Sequence, residues 1–321
     1  MQDVPGLAPL LGLYRHRHTV KSMGALALSG RHAKGRTIAS DFEQASHIAG
    51  RVPTVDRELL AGFMRTTKID PAVFKHGSRI ALPPTYYVTW CMAALADSLV
   101  QLKLPFDYSR VLHAGSEVSY MRPLFVDEVA HYDTRVVGID DNERRARVRV
   151  ETVVRERDGH GDEIFRNLME LHVPKAAPKD AKKGPRPSVQ APFVAPTMRS
   201  IGEYRLSSHA GRDYSLVSGD FNPVHWSHTA AKALGFRTLF LQGYCSKALI
   251  AHSLIKSVLR GASDKLVSVK VEFRKPVFLP AKVSVFASAA HEEGGLLTRS
   301  IALGRAIEGE AFVTGSVSYR L

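Results

Sequence analysis

The chain has 321 residues, enough for two domains of ordinary size, and its 45% hydrophobic and 23% charged content is typical of a folded protein rather than a disordered one. Its two cysteines, Cys91 and Cys245, exclude a disulfide framework and a cysteine-rich metal site. The formal net charge of +13 favours an anionic partner, but nucleic acid, an acidic lipid surface and a phosphorylated substrate carrier all fit that charge.

The N-terminal region is basic and contains no acidic residue between positions 4 and 40. Such a start is found in organelle transit peptides, but the alternation in "LYRHRHTV" at 13–20 favours a half-exposed strand followed by a loop. No run of eighteen apolar residues occurs, so we expect no membrane span and a cytoplasmic protein.

Two long apolar segments predict helices, one at 85–102 and one at 244–260, the second ending before Gly261. Each is accompanied by strand-like alternation, as in "RARVRVETVVRER" at 145–157 and "LLTRSIALG" at 296–304. The arginines at 145–157 have no aromatic residues between them, which favours a strand with one solvated face over a nucleic-acid surface. We therefore expect no nucleic-acid partner.

The chain also contains an internal repeat. "VSYMRPLFV" at 118–126 aligns with "VEFRKPVFL" at 271–279 at a constant offset of 153 residues, with a proline in the same place in both. Residues 174–197 are rich in proline and lysine and predict a linker between an N-terminal domain, 1–173, and a C-terminal domain, 198–321. The fold class is predicted as α+β, each half being a long helix wrapped by a curved antiparallel sheet.

"DYSLVSGDFNPVHWSH" at 213–228 is the segment that carries chemistry. Asn222 followed by Pro223 predicts a helix start, with the helix continuing to a stop at Gly235. Asp220 would then lie on the loop that enters the helix, and His225 in its first turn. A carboxylate and an imidazole so placed can hold one water molecule and move its proton. The alternative is that Asp220 only caps the helix and that His225 is an ordinary buried histidine.

"SGDFNPVH" resembles the signature of the MaoC-like dehydratases, the family of (R)-specific enoyl-CoA hydratases. The resemblance covers roughly residues 60–321 and implies a double-hotdog fold that adds water reversibly to a trans-2-enoyl thioester in fatty acid metabolism. It implies Asp220 and His225 as the acid/base pair, Asn222 as the residue that orients them, and the N–H of Gly243 as the oxyanion donor. Residues implied near the substrate are Tyr214, Ser218, Gly219, Pro223, Phe236, Gln242 and Tyr244.

Two features depart from the family pattern. Gln242 occupies a position where family members commonly have histidine, and glutamine cannot titrate. The first half lacks the signature, since "SDFEQASH" at 40–47 has the wrong spacing. We therefore expect a degenerate first half and one active site per chain, and we hypothesise that the first half widens a tunnel for a long or bulky acyl group.

The basic surplus suits a coenzyme A or acyl carrier protein thioester, with Arg237, Lys247, Lys256 and Lys275 as candidate contacts. Neither a metal nor a cofactor beyond the substrate's own carrier is expected, and a homodimer is possible.

Three other readings stay open. A hotdog thioesterase would need a helical carboxylate, for which Asp97 is the candidate in the first helix, since 244–260 contains neither Asp nor Glu. A non-catalytic acyl-thioester binder would tolerate the loss of Asp220. Cys245 as an acyl-accepting nucleophile has no base placed beside it by a motif.

Overall fold

The computed structural model describes residues 12–29, 38, 40–108, 111–142, 145–157, 159–175 and 192–321. Its helices are α1 Arg17–Ser29, α2 Phe42–Ala45, α3 Arg57–Thr66, α4 Val88–Leu102, α5 Ala210–Ser218, α6 His228–Ala233 and α7 Gly243–Ser257. Short 3₁₀ turns lie at Pro71–Phe74, Pro223–His225 and Ser263–Lys265. Within these ranges every helix falls short of the length and apolar character that a bilayer crossing requires.

The strands form one large antiparallel sheet and one small hairpin. They are β1 Ile48–Arg51, β2 Lys75–His76, β3 Arg79–Ile80, β4 Leu112–Tyr120, β5 Ala130–Asp141, β6 Arg145–Glu156, β7 Glu163–Pro174, β8 Arg199–Leu206, β9 Leu266–Phe273, β10 Ala281–Ala287, β11 His291–Glu293, β12 Leu296–Gly304 and β13 Ala311–Tyr319. The large sheet has the order β1-β5-β6-β7-β4-β9-β13-β12-β10-β8, with β11 paired to β12 and β2 paired to β3 separately.

The two halves of the chain meet at the centre of this sheet. β4 of the first half pairs antiparallel with β9 of the second, with Ser116 opposite Val271 and Val118 opposite Val269. These strands begin the two copies of the predicted repeat, and the repeated prolines, Pro123 and Pro276, follow the strand ends. The repeat therefore marks two equivalent units whose sheets are joined edge to edge.

Each half wraps its sheet around one long helix, as the sequence predicts. α4 and α7 have fifteen residues each, of which 11 and 12 are buried. A helix buried on nearly all sides needs cover all round, and the curved antiparallel strands supply it. On β6 the outward positions carry arginine and the inward positions carry alanine and valine, which explains the alternation seen in the sequence.

Both helix boundaries differ slightly from the prediction. α4 begins at Val88 instead of residue 85, because the turns before it are closed by hydrogen bonds that reach back three residues and not four. These run from Tyr86 N–H to the Pro83 carbonyl and from Val88 N–H to the Thr85 carbonyl. α7 ends at Ser257 and not at residue 260. Arg260 and Gly261 both have positive φ, 53° and 92°, which a right-handed helix cannot contain.

The prediction of a strand at 13–20 is wrong, because the segment is helical and leads into α1. The N–H of His16 bonds to the carbonyl of Gly12, and the N–H of Val20 bonds to that of His16, which is the i to i−4 pattern of an α-helix. The buried positions, His16, Thr19, Ser22 and Leu26, recur every three or four residues. Three of these four are polar or small, so hydrophobicity alone gave no helical signal.

Most of the linker predicted at 174–197 lies outside the described residues, since positions 176–191 are among those left undescribed. β7 ends at Pro174, and β8 begins at Arg199. The two domain boundaries stay a prediction.

A polar cluster is buried where the halves meet. Lys247 of α7 has no exposed surface, and its ammonium donates hydrogen bonds to the Ser116 hydroxyl at 2.7 Å and to the Tyr87 hydroxyl at 3.3 Å. Both hydroxyls donate to the side-chain carbonyl of Asn167 at 2.9 Å, and the Asn167 amide donates to the Tyr244 hydroxyl at 3.2 Å. Hydrogen bonds thus connect three residues of the first half, Tyr87, Ser116 and Asn167, with Tyr244 and Lys247 of the second.

We expect Lys247 to make stability depend on pH. Burial lowers the pKa of this ammonium from its ordinary 10.5 to about 7. Between those values the unfolded chain binds the proton and the folded chain does not. The free energy of unfolding therefore falls as the pH drops through this range, by up to about 1.4 kcal/mol per pH unit.

The measurement is urea unfolding of the wild type and Lys247→Met between pH 7 and 8.5. Other groups titrate equally in both proteins, so the difference isolates Lys247. The wild type should gain stability relative to the variant as the pH rises. A difference that stays constant across the range would show that this lysine does not titrate as described.

Candidate active site

The signature segment forms a loop between two helical elements. α5 ends at Gly219, whose φ of 80° turns the chain, and the Asp220 carboxylate then accepts a hydrogen bond from the Asn222 N–H at 3.3 Å. The Asn222 side chain accepts one from the Val224 N–H at 3.4 Å and caps the 3₁₀ turn Pro223–His225, as the Asn-Pro pair predicts. Two successive turns of this kind fix Asp220 and His225 at the two ends of one short loop.

The helix predicted to run from Asn222 to Gly235 is divided in two. After the 3₁₀ turn, Trp226 leaves helical geometry, and α6 begins at His228 with its own cap, the Ser227 hydroxyl, which accepts from the Ala230 N–H at 3.3 Å. The Ser227 hydroxyl takes the place of a backbone carbonyl as the acceptor for this N–H, so a new helix begins after Ser227.

A cavity of about 840 Å³ lies at this loop. Asp220, Asn222 and His225 line it, and so does Gly243 at the start of α7. The carboxylate, the imidazole and the helix start, predicted to converge, therefore share one cavity. Its volume lies in the range of sites for organic ligands.

The hydrogen bond of His225 determines which ring nitrogen faces the reaction. Nδ1 lies 2.8 Å from the carbonyl oxygen of Phe240, which can only accept, so Nδ1 carries the proton. The ring is buried and packs edge-on against Phe240 at 4.7 Å. Burial lowers the pKa of His225, while the Asp220 charge and the Phe240 carbonyl partly oppose this shift. The neutral ring leaves Nε2 with a free lone pair, as a proton acceptor requires.

Gly243 is the first residue of α7, so its N–H has no carbonyl partner inside the helix and lies at the positive end of the helix dipole. A Cβ on this residue would lie 2.9 Å from the Phe273 ring and 3.1 Å from Nδ1 of His113. Both distances are shorter than ordinary contacts. Only glycine fits here without moving its neighbours.

The other predicted substrate contacts divide into two groups. Phe236 and Tyr244 line the cavity, with Phe236 packed on Phe240 at 4.5 Å. The remaining five, Tyr214, Ser218, Gly219, Pro223 and Gln242, are not among the residues that line the cavity, and their contact with substrate stays a prediction.

Three of these five residues lie against the loop or bond to the helices beside it. Ser218 accepts a hydrogen bond from the Asp220 N–H at 3.2 Å, and Tyr214 is fully buried close enough to Asp220 for that charge to help raise the pKa of its hydroxyl. Gln242 donates to the Gly211 carbonyl at 2.8 Å and to the Ser215 hydroxyl at 2.9 Å, which ties α5 to the start of α7. The amide nitrogen of the glutamine that departs from the family pattern is therefore engaged with α5.

The first half contributes cavity residues that the sequence did not single out. Apolar side chains come from α1, α4 and β7, namely Met23, Leu26, Met92, Leu95, Leu99, Met169 and Leu171. His113 of β4 also lines the cavity and packs on Tyr244 at 4.7 Å. Burial lowers the pKa of His113 to about 3, helped by the charge of Lys247. The pairing of β4 with β9 brings these residues to the second half. The hydrophobic periodicity of the sequence does not predict which strands pair, so these residues could not be identified from it.

A smaller cavity lies in the first half. It measures about 30 Å³ and is lined by Pro83, Tyr87, Trp90, Tyr120 and Pro123, among others. Tyr120 and Pro123 correspond, at the repeat offset of 153 residues, to Phe273 and Pro276, which line the large cavity.

The alternative catalytic groups lie elsewhere. Asp97 faces His18 of α1 at 3.1 Å and does not line the cavity. Burial raises the pKa of the Cys245 thiol to about 12, so at neutral pH it is not the nucleophilic thiolate. Asp41 and His47 of the imitation motif also lie away from the cavity. In the described part of the chain, no group of His, Cys, Asp or Glu side chains is arranged to hold a metal ion.

The four basic residues suggested as carrier contacts have different environments. Lys275 is exposed and lines the cavity, while Arg237 stacks on Phe278 at 4.2 Å and Lys256 is exposed at the end of α7. The suggestion is wrong for Lys247, which is fully buried. With Lys275, six exposed or half-exposed bases on the lining outnumber four acids there: the other bases are Arg145, Arg147, Arg149, Lys270 and Arg274, and the acids are Glu117, Glu170, Asp220 and Glu272.

Comparisons with known families match both halves. Residues 196–303 match the MaoC like domain, and residues 61–161 match the FAS1-like dehydratase domain region. The chain is similar to 3-hydroxyacyl-thioester dehydratase X of Mycobacterium tuberculosis, with 23% identity over 72% of this chain and 77% of that protein. It is also similar to the peroxisomal enoyl-CoA hydratase 2 of Arabidopsis thaliana, with 25% identity over 62% of this chain and 66% of that protein.

Solved structures establish the fold. The crystal structure of HtdX from Mycobacterium tuberculosis superposes with a TM-score of 0.64 at 20% identity, over 86% of this chain and 100% of that one. A conserved hypothetical protein of the same organism, described as a double hotdog, superposes with a TM-score of 0.56 at 12% identity, over 91% of this chain and 99% of that one. The predicted double hotdog is confirmed.

Replacing Gln242 should affect stability and leave pH dependence unchanged. Gln242→Met keeps the side-chain length but removes two buried hydrogen bonds, to the Gly211 carbonyl and to the Ser215 hydroxyl, so we expect a loss of about 1–3 kcal/mol in the free energy of unfolding. Ser215→Ala removes one of these bonds together with the bond that Ser215 itself donates to the Gly211 carbonyl, and it should also lower the free energy of unfolding. Urea unfolding at several pH values measures both. Equal stability of Gln242→Met and the wild type would contradict the tethering role.

Proposed function

Because the chain belongs to the MaoC-like dehydratase family, we propose that it is a (3R)-hydroxyacyl-thioester dehydratase, an (R)-specific hydro-lyase that hydrates trans-2-enoyl thioesters in the reverse direction. The observation that carries the proposal is the shared cavity, in which Asp220, His225 and the start of α7 at Gly243 line one space of about 840 Å³. The relatives named as a dehydratase and a hydratase support it.

The proposed chemistry follows from the His225 tautomer. In the hydration direction, a water molecule held between the Asp220 carboxylate and Nε2 of His225 attacks C3 of the enoyl thioester. Its proton passes to Nε2 while the C3–O bond forms, and His225 then returns this proton to C2. The reverse path removes the C2 proton and releases the 3-hydroxyl as water. Asp220 accepts a hydrogen bond from the water and stabilises the imidazolium that forms between the two steps.

The thioester carbonyl needs a donor where negative charge develops. Removing the C2 proton, or adding water to C3, places charge on the thioester oxygen, and the Gly243 N–H is the free donor at the start of α7. A preorganised donor of this kind contributes about 3 kcal/mol to transition-state stabilisation in other enzymes. The close approach of Phe273 and His113 leaves no room for a side chain to cover it.

The substrate carrier is proposed from the charge of the lining. The exposed bases around Lys275 and on β6 give this side of the cavity a positive excess, which suits the phosphates of coenzyme A or the acidic surface of an acyl carrier protein. Coenzyme A is our choice for the assay. A cytoplasmic location and a homodimer stay predictions, and the Arabidopsis relative is peroxisomal by name.

The acid/base pair is tested by substitution. Asp220→Asn and His225→Ala should each lower kcat for hydration of crotonyl- and longer enoyl-CoA by about 10²–10⁴-fold, the usual contribution of a positioned acid or base. The decay of the enoyl absorbance measures the rate, and chiral analysis of the product should show the (3R)-alcohol.

Matched controls separate catalysis from folding. Asp213→Asn and His228→Ala change the same residue types at half-exposed or exposed positions a few residues away, outside the cavity, and should keep wild-type rates. Thermal unfolding verifies that all four variants are folded. Near-native turnover in Asp220→Asn would show that this carboxylate takes no part in the chemistry. A wild type that binds the thioester without hydrating it would favour a non-catalytic binder, and one that hydrolyses the thioester would favour the thioesterase.

The pH profile reports on His225. Because burial holds the pKa of the imidazole below 6.5, the neutral base persists under mildly acidic conditions, and kcat/KM should stay level from pH 8 to below pH 6.5 before it falls. Asp220→Asn removes a charge that raises this pKa, so the acid limb of its residual activity should move to lower pH. An acid limb that moves up or stays in place would show that another group titrates.

A further inference from the structure

The helix α1 and the turn before it lie outside both matched family regions, the first of which begins at residue 61. The turn contacts the catalytic loop. His16, in this turn, is buried and packs edge-on against Phe221 at 5.9 Å. A Cβ on Gly219 would lie 2.9 Å from Nδ1 of His16. His16 therefore contacts the loop at Gly219 and at Phe221, the two neighbours of Asp220.

Ion pairs fix this segment to the first half. Arg15 pairs with Asp56 at 2.9 Å and also with Glu58 at the start of α3, and His18 faces Asp97 of α4 at 3.1 Å. The buried positions of the segment face the molecule from residue 16 to residue 26. The helix thus has a defined position along α4.

From the catalytic loop, this segment runs along the apolar part of the cavity. Met23 and Leu26 line it together with Met92, Leu95 and Leu99 of α4. Ten residues separate His16 from Leu26, which corresponds to about 15 Å of helix rise. An extended acyl chain is a zigzag and advances by less than its bond length of about 1.5 Å per bond, so a chain of roughly twelve carbons spans that distance.

The composition of this wall suits acyl chains. Met23 and Met92 are flexible and polarisable and adapt to chains of different shape, and Leu26 is almost fully buried beside them. None of the four groups assigned to the chemistry, Asp220, Asn222, His225 and the Gly243 N–H, is on α1. This part of the wall therefore acts on the acyl tail and not on the reacting carbons.

We infer that α1 is the element that sets acyl-chain specificity, with Met23 and Leu26 as the specificity-determining residues and medium- to long-chain 2-enoyl thioesters as the substrate class. The inference rests on the proposed hydratase activity.

The test measures kcat/KM for trans-2-enoyl-CoA substrates of 4, 8, 12 and 16 carbons. Leu26→Trp places a larger side chain in the apolar part of the cavity and should lower kcat/KM for 12 and 16 carbons by about tenfold or more, while changing that for 4 carbons less than about twofold. Met23→Trp should act in the same direction. Leu26→Ala enlarges the same place and should raise the relative rate for 16 carbons.

Leu28→Trp is the matched control, since Leu28 lies on the same helix and is 57% exposed. Its chain-length profile should equal that of the wild type. Thermal unfolding identifies any variant that loses its fold, and Leu26→Ala supplies the test in that case. A wild-type profile in both Leu26 variants, or a drop equal at all lengths, overturns the inference. A wild type inactive at every length contradicts the proposed function itself.

Discussion

The antiparallel pairing of β4 with β9 is the constraint on which the rest of the structure depends. It turns two separate sheets into one and places the first half's His113 and Ser116 against the beginning of α7. The active-site cavity is then neither in one half nor in the other. Loop, imidazole and helix start come from the second half, and much of the wall comes from the first.

The first half lacks the signature segment and lines a small cavity of about 30 Å³ with aromatic side chains. Among them, Trp90 packs on Phe165 at 6.4 Å, and Phe165 packs on Tyr87 at 5.2 Å. The first half serves the second as a wall and as a source of hydrogen-bond partners.

Elements whose structure depends on residues close in sequence, such as alternating strands and helix caps, were predicted from the sequence. β12 was predicted without error from its alternation, and the cap at Asn222 from the Asn-Pro pair. The strand predicted at 13–20 failed because α1 buries polar and small residues, which hydrophobic periodicity cannot detect. The supporting position of Gln242 could not be predicted either, since its partners on α5 lie about thirty residues away in sequence and meet it only in the folded protein.

The hydrogen bonds of Lys247 distinguish the two halves from each other. The helices α4 and α7 are offset by 155 residues, so the counterpart of Lys247 is Met92, and at the strand offset of 153 the counterpart of its partner Ser116 is Val269. Two copies of the second half, paired as the two halves are here, would each aim a buried amine at valine, and a buried donor without a partner costs about 1–3 kcal/mol. The two halves are therefore complementary partners and not interchangeable copies.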